Sequence, residues 1–229
     1  MKEVSKAGTA PSPQDDVAGF LDKVKTMAPA GGEGRLIFAM DATMSRQPSW
    51  DRALAIQSQM FSETKRVGAL QVQLVYFRGF NECRASKWVG NPDALARLMT
   101  AVECRGGNTQ IRRVLAHSKT EAAKGKVSAV VFVGDAFEEN IDSVCQAAGE
   151  VGMSGVPVFM FQEGNDGIAE RGFRDVAKLT RGAYFRLDSS SPRVLAELLG
   201  AVAAYATGGR KALEKQGNGA SKLLLEQLK

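Results

Sequence analysis

Apolar residues along the chain follow two rhythms, and their alternation predicts the architecture. Leu36–Met40 (LIFAM), Val127–Val133 (VSAVVFV) and Val156–Phe161 (VPVFMF) are short runs with no polar face. Such runs are expected of strands covered on both sides. Leu70–Phe77 (LQVQLVYF) alternates like a strand, Ala85–Val89 predicts a short edge strand before the turn at Asn91-Pro92, and Ala183–Arg186 predicts another short strand. Helical spacing of apolar positions marks Asp15–Met27, Trp50–Val67, Pro92–Val102 and Thr109–Lys124, then Glu138–Val151, Phe173–Leu179 and Pro192–Tyr205, with a short helix at Ser221–Lys229. Strands alternating with helices imply an α/β fold: a doubly wound, mostly parallel central sheet with helices on both faces.

Breaks in this pattern divide the chain. Residues 1–34 hold a polar lead with Pro11 and Pro13, the first helix and the breaker APAGGEG. Residues 35–207 are expected to form the domain, and after Thr207-Gly208-Gly209 a tail over 208–229 begins. Composition adds only exclusions. With 44% hydrophobic and 24% charged residues in 229, the chain is neither wholly disordered nor collagen-like nor a disulfide-stapled miniprotein.

The net charge of +5 is mild, and three of those charges sit in the tail, where Arg210, Lys211, Lys215, Lys222 and Lys229 face only Glu214 and Glu226. The rest is nearly neutral, so no nucleic-acid partner is expected. Cys83, Cys104 and Cys145 form no C-x-x-C pair and are expected to be small hydrophobes in a reducing compartment. No apolar signal region opens the chain and no run reaches the roughly 18 apolar residues of a membrane span, which predicts a cytoplasmic location and no membrane contact.

Candidate chemistry follows from the sheet. Ligands of open α/β sheets bind beyond the carboxyl ends of the strands, at the topological switch point. The segments there are Asp41-Ala42-Thr43-Met44-Ser45, then Arg105-Gly106-Gly107-Asn108-Thr109, then Gly134-Asp135. They would bring the carboxylates of Asp41 and Asp135 and the hydroxyls of Thr43, Ser45 and Thr109 to one edge, with no His or Cys among them. An all-oxygen set suits a hard cation, Mg2+ above all and then Mn2+ or Ca2+, and does not suit zinc or copper. The D-x-T-x-S alternation points Asp41, Thr43 and Ser45 the same way in an extended segment, so one loop can offer three ligands. The same three residues are also ordinary helix N-cap types.

This set resembles the metal-ion-dependent adhesion site of von Willebrand factor A domains, whose pattern is D-x-S/T-x-S after the first strand, a Thr in a second loop and an Asp after the fourth strand. The resemblance covers residue 35 to about residue 205 and implies a Rossmann-like fold. It implies that Thr43 and Ser45 bind the cation through hydroxyls, that Asp41 and Asp135 act directly or through water, and that Thr109 binds or releases with the state of the site. A divalent ion held mainly by uncharged hydroxyls and water keeps residual positive charge, and a Glu or Asp of a partner completes the octahedron. The implied function is a non-enzymatic, metal-dependent protein-binding module with a partner presenting Glu or Asp. Bacterial relatives of this kind work beside AAA+ ATPases or in tellurite-resistance-like and stress systems. Ala136 stands where that family more often has Gly, and the nearby Glu138 and Glu139 are expected to favour the positive end of the helix that follows them.

Two other functions compete. A Mg2+-dependent phosphoryl hydrolase would use Asp41 as nucleophile, but related phosphatases carry a second acid two residues on, where this chain has Thr43. A metal-free scaffold would use the basic tail. His117, the only histidine, is expected at the surface, and without a second His neither zinc nor serine-protease chemistry has its residues. Trp50, Phe61 and Trp88 are expected in the core or at its rim.

Overall fold

The computed structural model describes residues 34–43, 69–187 and 192–228. The expected helices Asp15–Met27 and Trp50–Val67, and the candidate ligand Ser45, lie outside the described residues.

The first apolar run forms strand β1 (Gly34–Asp41), and its burial explains its composition. Leu36, Phe38 and Met40 enter one hydrophobic cluster, while Ile37 and Ala39 enter a second on the opposite face. Its middle, Leu36–Met40, is buried on both faces and is therefore apolar throughout; the polar Arg35 and Asp41 stand at its two ends. Strand β2 (Leu70–Arg78) runs parallel to β1, and β3 (Glu82–Val89) returns antiparallel to β2. Helices α1 (Pro92–Thr100) and α2 (Ile111–Lys124) follow, then β4 (Ala129–Gly134), α3 (Ile141–Met153) and β5 (Val158–Glu163). The described chain ends with α4 (Gly167–Leu179), β6 (Tyr184–Leu187), α5 (Pro192–Gln216) and α6 (Gly219–Gln227).

The six-stranded sheet has the order β3-β2-β1-β4-β5-β6, parallel except for the β2–β3 pair. The order reverses between β1 and β4, which makes their carboxyl ends the switch point. One face is covered by α1, α5 and α6 through Leu95, Met99, Leu199, Val202 and Leu224. The other is covered by α2, α3 and α4 through Ile111, Val114, Val144, Val151 and Phe173. Each such side chain, fully buried, contributes about 1.5–3 kcal/mol. The expected doubly wound sheet with helices on both faces is the observed one.

Several boundaries differ from the sequence expectation, each for a local reason. Strand β3 starts at Glu82, not Ala85, because it is an exposed edge strand whose outer positions are polar. Its pairing slips between Gln73 and Val75, where Ser86 Oγ accepts the Leu74 N–H at 3.0 Å in place of a backbone carbonyl. Helix α4 begins six residues before Phe173, at Gly167, capped by Asp166 Oδ1, which accepts from the N–H groups of Ile168 and Ala169. Helix α3 begins at Ile141 instead of Glu138, capped by Asn140.

The basic tail is part of this folded unit, which spans Gly32–Lys229. Helix α5 continues past Tyr205 with a bend at Gly209 (φ 63°), and Leu213, Leu224 and Leu228 are buried. Gln227 Oε1 accepts the Tyr184 N–H at 2.9 Å and so caps the start of edge strand β6. The tail's charges coat an amphipathic helix pair whose leucines carry the packing.

Candidate functional site

Asp41 is the last residue of β1 and is 1% exposed. Its Oδ1 accepts the Thr43 N–H at 2.8 Å, an Asx turn that folds the loop back on the strand end. The loop is tied on both sides. The Ala42 N–H donates to the Phe77 carbonyl at 2.9 Å, and the Ala42 carbonyl accepts from Arg105 N–H at 3.0 Å.

The second loop is clasped against the β2–β3 turn. Gly107 lies so close to Gly79 that a Cβ on it would stand 2.1 Å from the Gly79 carbonyl oxygen, so no other residue fits. The Asn108 N–H and the Gln110 side-chain amide both donate to that same oxygen at 3.2 Å. This close approach fixes Thr109, which is 5% exposed.

The third loop follows β4. Phe137 anchors it, packing on Phe173 (centroids 6.4 Å) and on Gly172, where a Cβ would stand 2.4 Å from the Phe137 ring. Glu138 then makes a reciprocal pair with the second loop: its N–H donates to Thr109 Oγ1 at 3.0 Å, and its Oε2 accepts the Thr109 N–H at 2.9 Å. Glu139 accepts from the N–H groups of Ile111 and Arg112. The two glutamates therefore serve the amino end of α2 and not that of α3, which corrects the sequence expectation. Asn140 and Asp142 already serve α3, whereas Gln110, the cap of α2, makes no capping bond with its side chain. Burial pushes the Glu139 carboxyl above its ordinary value, against the pull of the two backbone N–H groups.

Asp41, Thr43, Thr109 and Asp135 thus line one cleft of about 260 Å3, together with Gly106, Gly107, Ala136 and Glu138. Four of the five sequence candidates meet at the switch point. Glu138 is the cleft residue whose place the sequence did not reveal, because its partner Thr109 is 29 residues away. Among the described residues no three His, Cys, Asp or Glu side chains converge as a metal-binding cluster. The cleft's donors are carboxylates and hydroxyls.

Other residues singled out by the sequence lie elsewhere. His117 is half-buried, with Nε2 2.9 Å from Gln73 Oε1, and burial holds its ring below the ordinary value, so the expected surface role is corrected. Trp88 is at the rim, stacked under Arg35 at 4.0 Å and donating to Glu121 Oε2 at 3.0 Å. Arg113 is committed to Asn81, and Arg105 pairs with Glu103 at 3.3 Å. Burial pushes the Cys83 thiol up to about 11, so it stays protonated at neutral pH. No helix among the described residues is long and apolar enough to cross a membrane.

No family model matches the sequence, and no curated protein is significantly similar to it. Solved structures are similar in fold. The von Willebrand factor type A protein from Catenulispora acidiphila superposes with TM-score 0.65 at 14% identity, over 77% of this chain and 43% of its own length. The VWA domain of SpRpn10 does so with TM-score 0.56 at 12% identity, over 70% of this chain and 90% of that one. The vWF domain of the type V pili tip protein Mfa5 from Porphyromonas gingivalis gives 0.58 at 10%, over 74% and 93%. Strand order, switch point and these likenesses together show that the chain has the fold of a von Willebrand factor A domain.

Proposed function

We propose that the chain is a non-enzymatic protein-binding module whose cleft holds a divalent cation, Mg2+ first, and captures a Glu or Asp side chain of a partner on it. The observation that carries this reading is the meeting of Asp41, Thr43, Thr109 and Asp135 in one cleft from three separate loops. The donor set fits the ion: two carboxylates and two hydroxyls, all hard oxygen, with no softer ligand beside them. Ser45 is proposed as a further ligand from the sequence pattern. The bound cation would supply a positively charged coordination position for a carboxylate. The chain's own part is to hold the oxygens still, through the Asx turn at Asp41 and the Thr109–Glu138 pair.

A cytoplasmic location and a partner of the AAA+ ATPase or stress-complex kind belong to the same proposal. Phosphoryl transfer is disfavoured, since no Lys or Arg lines the cleft among the described residues and Thr43 takes the place of the second acid. The test is partner capture by the purified protein with Mg2+, with EDTA, and with Asp41→Ala. Capture that is lost in EDTA, restored by Mg2+ and absent in the variant is expected. Capture indifferent to both treatments contradicts the reading.

A further inference from the structure

The amino edge of the sheet holds a second cavity, of about 230 Å3, where the α3–β5 turn, the end of α4 and the α5–α6 pair meet. Its walls are backbone brought close by glycine. A Cβ on Gly152 would stand 2.3 Å from the Leu179 carbonyl oxygen, and Gly155 turns with φ 72°. Thr180 is fully committed in the wall, donating to Val176 O at 2.8 Å and accepting the Val158 N–H at 3.2 Å.

Two arginines, Arg181 and Arg210, are among its lining residues, both exposed at its rim, and no Asp or Glu lines it among the described residues. Neither arginine makes an ion pair with a described residue; Arg210 uses one N–H on the Leu228 carbonyl. A guanidinium has five N–H donors in a fixed fork. Most of those donors face solvent at the cavity mouth and make no bond to a described residue. Tyr205 supplies a further donor: its ring is held edge-on to Phe159 at 5.6 Å, and its hydroxyl makes no hydrogen bond to a described residue.

Arg181 is also the one non-glycine residue with positive φ (56°) among the described residues. Left-handed backbone disfavours an L side chain by roughly 1–2 kcal/mol, and helix ends usually place glycine there. The charge at the carboxyl end of α4 offsets part of that cost.

We propose that the cavity is an oxyanion site of the phosphate class, filled by free phosphate or by a phosphomonoester, with Arg181 and Arg210 as fork donors and the Tyr205 hydroxyl as a third. A phosphate group offers enough oxygens for all three donors, whereas a carboxylate offers two. The site is independent of the cation cleft, on the opposite edge of the sheet.

The experiment is an NMR titration of the full chain at constant ionic strength, following the amides of Gly155, Arg181 and Gly182. The probes are inorganic phosphate, O-phosphoserine and acetate. Saturable shifts with phosphate, at least about tenfold weaker in Arg181→Gly and in Arg210→Gln, are expected, since each removes charge-assisted hydrogen bonds. Arg181→Gly relieves the backbone, so its thermal midpoint should equal or exceed that of the parent, which separates loss of binding from loss of fold. Shifts with O-phosphoserine as well would identify an ester-accepting site, and shifts with inorganic phosphate alone a site for the free ion. No saturable shift, acetate binding as tightly as phosphate, or binding unchanged in both variants would overturn the proposal.

Discussion

The two edges of this sheet carry opposite chemistry on one scaffold. At the carboxyl edge Asp41, Asp135 and Glu138 share a cleft with two threonine hydroxyls; at the amino edge Arg181 and Arg210 share a cavity with a phenol. Parallel strands sort their connections, sending every strand-to-helix turn to one edge and every helix-to-strand turn to the other. Residues distant in sequence thereby become neighbours of like character. Glycine does the same work at both edges. Gly107 brings the second loop against Gly79, and Gly182 brings the α4–β6 turn so close that a Cβ would stand 1.9 Å from the Val158 carbonyl oxygen.

The largest expected effects break one edge at a time. Gly107→Ala and Gly182→Ala each force a backbone shift and should lower stability by about 3 kcal/mol, measured by urea unfolding. If the edges are separate devices, Gly107→Ala should disturb only cation binding and Gly182→Ala only the arginine cavity. Loss of both functions from either variant would show that the edges are coupled through the sheet.

A smaller effect belongs to Glu139, which caps α2 from a different loop. Glu139→Ala should cost about 1–2 kcal/mol by leaving backbone N–H groups unpaired. Glu139→Gln keeps an acceptor without the charge that burial disfavours, so it should be neutral or stabilising at pH 7. The sign follows from the raised folded value: the folded state holds the proton more tightly, so this group's contribution falls as pH rises from the ordinary 4.5 through that value. The Gln variant should lack that dependence in denaturant titrations run across the window.

His117 belongs to neither edge and gives the smallest effect. Burial depresses its folded value, with Glu121 pulling the other way. The unfolded chain therefore binds the proton more readily, and stability should fall as pH drops below the ordinary 6.5 toward the depressed value, with a slope of less than one proton. His117→Gln should flatten it.

The sequence discloses these regions unequally, and the reason is physical. Strands β1, β4 and β5 are legible because both faces are buried and their composition has no freedom; Asp41 and Asp135 follow directly because each sits at the end of such a run. Edge strand β3 is obscure because solvent accepts almost any residue on its outer positions, and the first half of α4 because it buries only the small Ala169 and Gly172, which leave no apolar stripe to read. The destinations of Glu138 and Glu139 are long-range facts about topology. Charge misleads at the tail, where basic residues on α5 and α6 conceal the buried Leu213 and Leu224. The arginine cavity has no motif at all, since its parts run from Gly152 to Leu228 and only the fold assembles them.

The central claim is that the carboxyl-edge cleft binds a divalent cation. Its most direct test is an NMR titration of the full chain with MgCl2, comparing the parent with Asp41→Ala and with Arg181→Gly. Saturable shifts at Thr43, Thr109 and Asp135 are expected in the parent and in Arg181→Gly, weakened by at least about tenfold in Asp41→Ala, as loss of a ligand requires. Absence of saturable shifts at those residues in the folded parent, or equal affinity in Asp41→Ala, would contradict the account.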